Sequence, residues 1–295
     1  MSPVVDAPIL ESAPEDLKIL RTRPKASRQV GRLLAIMWLT TVVALALLIP
    51  ILSVPSPAVS TGVFDARPFG HYLLGTDELA RDEFSRLVWG ARTSLEVCFV
   101  TITIAMLVGT TLGLLAGYFR GKTDTAIAGL TDLVLAIPGL VFLLVLTVVF
   151  RPSTNTLMIG IAVLLTPTFV RLSRANTIAW AEREFVRAAH VLGARNRRVI
   201  LREVLPNVMP SVLTYAVIAG GYVLVIEGSL SFLGLGIPPP TPSWGSMIAD
   251  GETYMQNAPQ LVLVPAVCLF LTVMSTNVLG NSRRQANERV RGGTL

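Results

Sequence analysis

Residues 95–118 read LEVCFVTITIAMLVGTTLGLLAGY, a run in which Glu96 is the only charged side chain. A helix of that length rises about 36 Å, enough to cross a hydrocarbon layer of about 30 Å. In lipid the backbone must satisfy its own hydrogen bonds, so the stretch reads as a membrane helix. Within it Gly109, Gly113 and Gly117 recur every four residues. That spacing strips one helix face of side chains and lets a second backbone approach closely. The pattern predicts a tight helix contact without naming the neighbour.

Five further stretches are as apolar: 33–52, 126–150, 156–173, 208–230 and 259–280. Together they predict an all-α integral membrane protein with about six transmembrane helices. The chain divides into an N-terminal tail (1–32), a first anchor (33–52), an external segment (53–94), a transmembrane domain (95–280) and a C-terminal tail (281–295). The 174–207 loop falls within the transmembrane domain. The whole composition agrees, with 52% hydrophobic and 15% charged residues and a mean hydropathy of +0.62. Pro138 with Gly139, and Pro167, each interrupt a predicted span and predict kinks.

The formal charge of +6 is distributed unevenly. Of 25 Lys and Arg, 20 fall in the two tails, the 119–125 turn, the 174–207 loop and Arg171. By the positive-inside rule both termini are expected in the cytoplasm, with the chain multi-pass in the cytoplasmic membrane. Nucleic acid is not an expected partner; membrane lipid is. The tail carries Asp6, Glu11, Glu15 and Asp16 before its basic run, the reverse of a secretory signal. Cys98 and Cys268 sit apart in apolar runs and show neither a disulfide framework nor metal-ligand spacing.

The densest basic cluster lies in residues 184–207, EFVRAAHVLGARNRRVILREVLPN. Phe185, Ala188, Ala189 and Leu192 share one helical face, with Glu184 in the first turn where it complements the helix dipole. Gly193 breaks the run. Ile200, Leu201, Val204 and Leu205 then form a second apolar stripe, while Arg195, Arg198 and Arg202 line another face and Pro206 is expected to end the helix. Pattern alone leaves three readings open: docking to a protein, lying on anionic headgroups, or carrying topogenic charge.

Among the acidic groups near spans, Glu96, Asp132 and Glu227 each lie near a predicted span end, where solvated ends or structural hydrogen bonds outweigh a proton relay. The loop SFLGLGIPPPTPSWGSMIADGETYMQ has three consecutive prolines and Trp244, read as a stiff external turn held at the interface by an aromatic anchor. No G-x-x-x-x-G-K-[ST] phosphate cradle occurs, and the two histidines, His71 and His190, lie in no H-E-x-x-H motif. The chain is not expected to be an enzyme, so energy must come from a partner or an ion gradient.

Three blocks carry a family resemblance. E-x-x-x-A-A-x-x-x-G, met as Glu184, Ala188, Ala189 and Gly193 and followed by ILREVLPN, resembles the coupling loop of binding-protein-dependent ABC importer permeases. GTDELARDEFSRLVWGARTSL (75–95) and EGSLSFLGLGIPPPTPSWGSMI (227–248) resemble the C-type permease of dipeptide, oligopeptide and nickel importers, most of all the oligopeptide one. The resemblance spans about residues 30–280.

It implies a heterodimer with a homologous permease chain, two cytoplasmic ATPase subunits and an external solute-binding protein. No cofactor is expected on this chain, with ATP and Mg held by the ATPases, and no metal site. Coupling to the ATPase falls to Glu184, Ala188, Ala189 and Gly193, with Arg195, Arg198 and Arg202 free to pair with acidic groups. Glu227 and Trp244 are candidates for gating or the pathway. Peptides are the expected cargo, nickel the alternative, and an ion-coupled secondary transporter the rival from another class. The chain departs from the family at Ala80, where glycine is usual, and in its 277–290 segment, which lacks the usual acidic residues and Asp-Pro.

Overall fold

The computed structural model describes residues 25–49, 51, 54–64 and 66–292. The acidic and basic tail residues 1–24 and the last three residues lie outside them. Among the described residues ten α-helices follow in order: α1 (Lys25–Leu48), α2 (Glu83–Phe119), α3 (Gly121–Leu135), α4 (Gly139–Phe150), α5 (Thr154–Ala181), α6 (Glu184–Val191), α7 (Asn196–Val199), α8 (Leu205–Phe232), α9 (Trp244–Gly251) and α10 (Gln260–Gly292). A π-helical turn, Ile200–Val204, joins α7 to α8, and a 3₁₀ turn, Glu252–Tyr254, follows α9. Among the described residues five helical stretches are long and apolar enough to cross a membrane, or six if the bent pair α3 and α4 is counted as one span.

The contact foreseen at the glycine stripe is with α5. A side-chain carbon at Gly109 would stand 2.5 Å from Phe169 Cβ, at Gly113 2.6 Å from Val170 O and at Gly117 2.8 Å from Arg174 O. The two helices meet backbone to backbone over two turns, and this is the most extensive helix pair of the fold. Their shared core continues into α8 through Val97, Ala105, Ile161, Phe169, Val212 and Val223, all buried. Outward-facing Leu107, Val148, Phe150 and Phe270 are exposed, as side chains that meet lipid must be.

Proline acts differently at each of the three places where the sequence pattern gave it a role. The stretch 126–150 is not one kinked span: α3 and α4 meet at 81°. Pro138 lacks an N–H and holds an extended ψ of 125°, so the helix cannot pass through it. Pro167 is buried inside α5, which remains helical on both sides. Pro206 does not end a helix as expected. The chain widens to π geometry just before it, with Leu205 N–H donating to Ile200 O, and Pro206 occupies the first turn of α8, where a missing N–H costs little.

Sequence patterning understates several helices. α2 starts at Glu83, capped by Asp82, whose carboxylate accepts from Ser85 N–H at 3.1 Å. α5 runs on to Ala181, because Ser173 and Thr177 still pack beneath the glycine stripe. Ahead of α2, residues 54–64 and 66–82 fold as loops tied by single bridges, Ser60 with Arg81 and Thr76 with Asp82. There the unusual Ala80 is fully buried at φ 56°, its carbonyl accepting from Thr61 N–H at 2.7 Å. A side chain in that left-handed region costs about 1–2 kcal/mol. Ala80→Gly is therefore expected to stabilise the protein by about 1 kcal/mol, read as a raised thermal midpoint in detergent.

Candidate functional site

The segment between α5 and α8 folds as a helix, a bend and a helix. Glu184 stands in the first turn of α6, and Gly193 makes the bend at φ 81°, its N–H donating to His190 O. Val186 is the residue that α6 turns inward, 1% exposed, with Ala189 half-buried beside it. The rest of the apolar face has no cover from this chain. Phe185 is 41% exposed and Leu192 87%, with Ala188 open between them. Val191, off the predicted stripe, is 88% exposed. An uncovered apolar patch of this kind is the form that a surface for a partner or for headgroups takes.

On the second helix Val199 and Val204 are buried while Arg195, Arg198 and Arg202 are exposed. Among the described residues none of the three arginines has an ion-pair partner. The predicted coupling residues thus lie along one helix–bend–helix segment, with small side chains before the bend and exposed arginines after it.

Sequence reasoning missed what fixes this element to the bundle. Tyr118, at the end of α2, accepts from His190 Nε2 at 2.9 Å in the matching tautomer and donates to Asn196 Oδ1 at 3.2 Å. One hydroxyl therefore joins both halves of the loop to the glycine-striped helix. Arg120 Nη2 donates to Glu182 Oε1 at 2.6 Å, which holds the Glu182 carboxyl below its ordinary range. The Arg183 guanidinium lies 5.6 Å over the Trp180 ring, which in turn stands 6.2 Å from Phe185. The sequence signal was a lone tyrosine at a span end, which reads as an interface residue. Tyr118→Phe removes both hydrogen bonds, each worth about 1 kcal/mol. Solute uptake is expected to fall by about fivefold, with the thermal midpoint of the isolated chain lowered by a few degrees.

At the other end of the bundle, Glu227 and Trp244 come together, but Trp244 is no interface anchor. It is 1% exposed, its indole N–H donating to Leu87 O at 3.2 Å and its backbone N–H to Ser94 Oγ at 3.1 Å. The correction has a plain cause: Ser243 caps α9 in a reciprocal capping box, so the chain turns inward at Trp244 and buries the ring against α2 and α10. Glu227, fully buried in α8, accepts from Ser243 Oγ at 2.6 Å and Ser231 Oγ at 2.9 Å. A side chain at Gly245 would meet Gly228 Cα at 2.6 Å, so the glycine after the tryptophan is required for α9 to lie against α8. Glu227 is accordingly a strut that holds α9 across this end of the bundle. Nearby, Arg86 is buried between Asp77 and Asp250, reaching Asp250 Oδ2 at 2.8 Å. Burial pushes the Asp250 carboxyl above its ordinary range.

A multi-pass helical bundle with an uncovered docking helix at one end has the form of a membrane permease component that works with other subunits. Comparison with known proteins gives the particular family. Residues 109–285 match the family described as binding-protein-dependent transport system inner membrane component. The dipeptide transport system permease protein DppC of Alkalihalophilus pseudofirmus is 37% identical over 219 residues, covering 74% of this chain and 72% of that one. The glutathione transport system permease protein GsiD of Pectobacterium atrosepticum is 34% identical over 219 residues, covering 74% and 73%. In fold, the chain resembles the inward-facing MetNI methionine ABC transporter, with a TM-score of 0.56 at 17% identity over 69% of this chain and 96% of that one. The chain belongs to the binding-protein-dependent family of ABC importer permeases. It is an inner membrane permease subunit and not an enzyme; ATP hydrolysis belongs to a separate subunit.

Proposed function

We propose that this chain carries short peptides across the cytoplasmic membrane as one half of a permease heterodimer. The observation that carries this reading is the uncovered face of α6, Phe185, Ala188 and Leu192, beside three unpaired arginines. Its relatives, named for dipeptide and glutathione transport, support peptide cargo over nickel. Two ATPase subunits, holding ATP and Mg, dock on the 184–207 loop, and a homologous permease chain completes the pathway. An external solute-binding protein delivers the cargo at the α9 end. Both termini lie in the cytoplasm, which puts the basic loop on the ATPase side. An ion-coupled carrier acting alone would have no use for an uncovered docking helix.

Closure of the ATPases moves α6, and the loop's ties to Tyr118 and Arg120 transmit that movement to α2, which α5 follows through the glycine stripe. The arginines add electrostatic attraction that salt screens. Replacing Arg195, Arg198 and Arg202 together with glutamine is expected to weaken ATPase association by about tenfold at low salt and far less at high salt. Co-purification of tagged ATPase at two ionic strengths measures this. Association equal to the unaltered chain at both would show that the three charges serve topology alone.

A further inference from the structure

A groove of about 830 Å³ opens between α1, α2, α8 and α10. Its volume lies within the range of about 300–1,000 Å³ usual for small-molecule sites. Its walls are apolar, among them Phe99, Ile102, Met106 and Leu213, but two charged side chains also line it, Arg92 and Glu96. Both are exposed, and neither makes an ion pair among the described residues. The Arg92 guanidinium rests 5.7 Å over the Trp89 ring. Because α2 starts at Glu83, Glu96 lies about 20 Å along the helix, beyond its capped first turns.

Two uncovered, opposite charges in a membrane helix are costly against lipid and mark a path for polar solute. A purely apolar occupant, whether an acyl chain or the flank of another helix, would leave both charges unsatisfied. We propose that this groove is a solute-binding stretch of the translocation path, in which Arg92 takes the carboxylate and Glu96 the ammonium group of a short zwitterionic peptide. The proposal rests on the peptide-import reading and adds the residues that meet the cargo.

The spacing fits. Side chains at i and i+4 start about 6 Å apart, and two extended residues span about 7 Å. The apolar wall accepts cargo side chains without selecting among them, and Met106 adapts its shape to each. Selectivity would then lie in the free termini, a feature common to all unmodified short peptides.

The test uses the complete importer in proteoliposomes, with labelled dialanine as cargo, and measures uptake and ATP hydrolysis together. Arg92→Gln and Glu96→Gln are each expected to lower dialanine uptake by about tenfold, the loss of one charge-assisted contact. ATP hydrolysis stimulated by the loaded binding protein stays within about twofold of the unaltered complex. Arg92→Lys, which keeps the charge, restores at least half of the uptake. Uptake unchanged in both glutamine variants overturns the assignment. So does loss of the second permease chain from the purified complex, which would make the pair an inter-chain contact. If the unaltered complex takes up no dialanine, the peptide reading fails and the assignment with it.

Discussion

Replacing Gly113 with leucine is expected to cost the folded chain about 3 kcal/mol or more. Its first side-chain carbon would stand 2.6 Å from Val170 O and 2.9 Å from Arg174 N. Both are backbone atoms inside a continuous helix, so neither can turn aside as a flexible side chain would. α2 and α5 would have to separate, and with them the Phe169 core and the helix ends that carry the loop. Membrane yield and the thermal midpoint in detergent measure the loss. Gly129 supplies the control, because nothing lies within 4 Å of the position its side chain would take. Gly129→Ala in the interior of α3 is expected to be neutral or to stabilise by up to about 1 kcal/mol, the helix-propensity gain.

The second large effect falls on function and leaves the fold alone. Ala188→Trp places a bulky ring at the centre of the uncovered α6 face. The site is exposed, so the isolated chain should keep its thermal midpoint to within about 0.5 kcal/mol. A partner that closes against two small alanines cannot close against the ring, and loss of a central docking contact is worth about 2–4 kcal/mol. ATP-driven uptake is expected to fall by about a hundredfold, together with co-purification of the ATPase. Uptake that survives this substitution would mean that α6 faces water or headgroups and no partner.

How much of this was legible in the sequence depended on distance along the chain. The glycine register in α2 is a local pattern, and it foretold a close helix contact correctly; that α5 is the neighbour is a tertiary fact. The bend at Gly193 and the helical faces of 184–207 are likewise local. Trp244 was misread because its burial rests on Ser94 and Leu87, about 150 positions away, and on a capping serine whose effect is to turn the chain inward. The 81° break at Pro138 exceeded the expected kink, since proline forbids the straight path without fixing the new one. Pro206 showed the reverse, with a π turn absorbing the missing donor. Tyr118 escaped notice because both its partners lie more than 70 residues further on. The start of α2 was itself missed, since apolar counting began it at residue 95, whereas the helix begins at the Asp82 cap.

The central claim is that partner ATPases drive solute movement through this chain by way of the 184–207 loop. Its most direct test is dialanine uptake into proteoliposomes that contain both permease chains and the binding protein, with and without the ATPase subunits, at fixed ion gradients. The account predicts ATP-dependent uptake only when the ATPases are present and the α6 face is unaltered. Uptake driven by an ion gradient in their absence would contradict it.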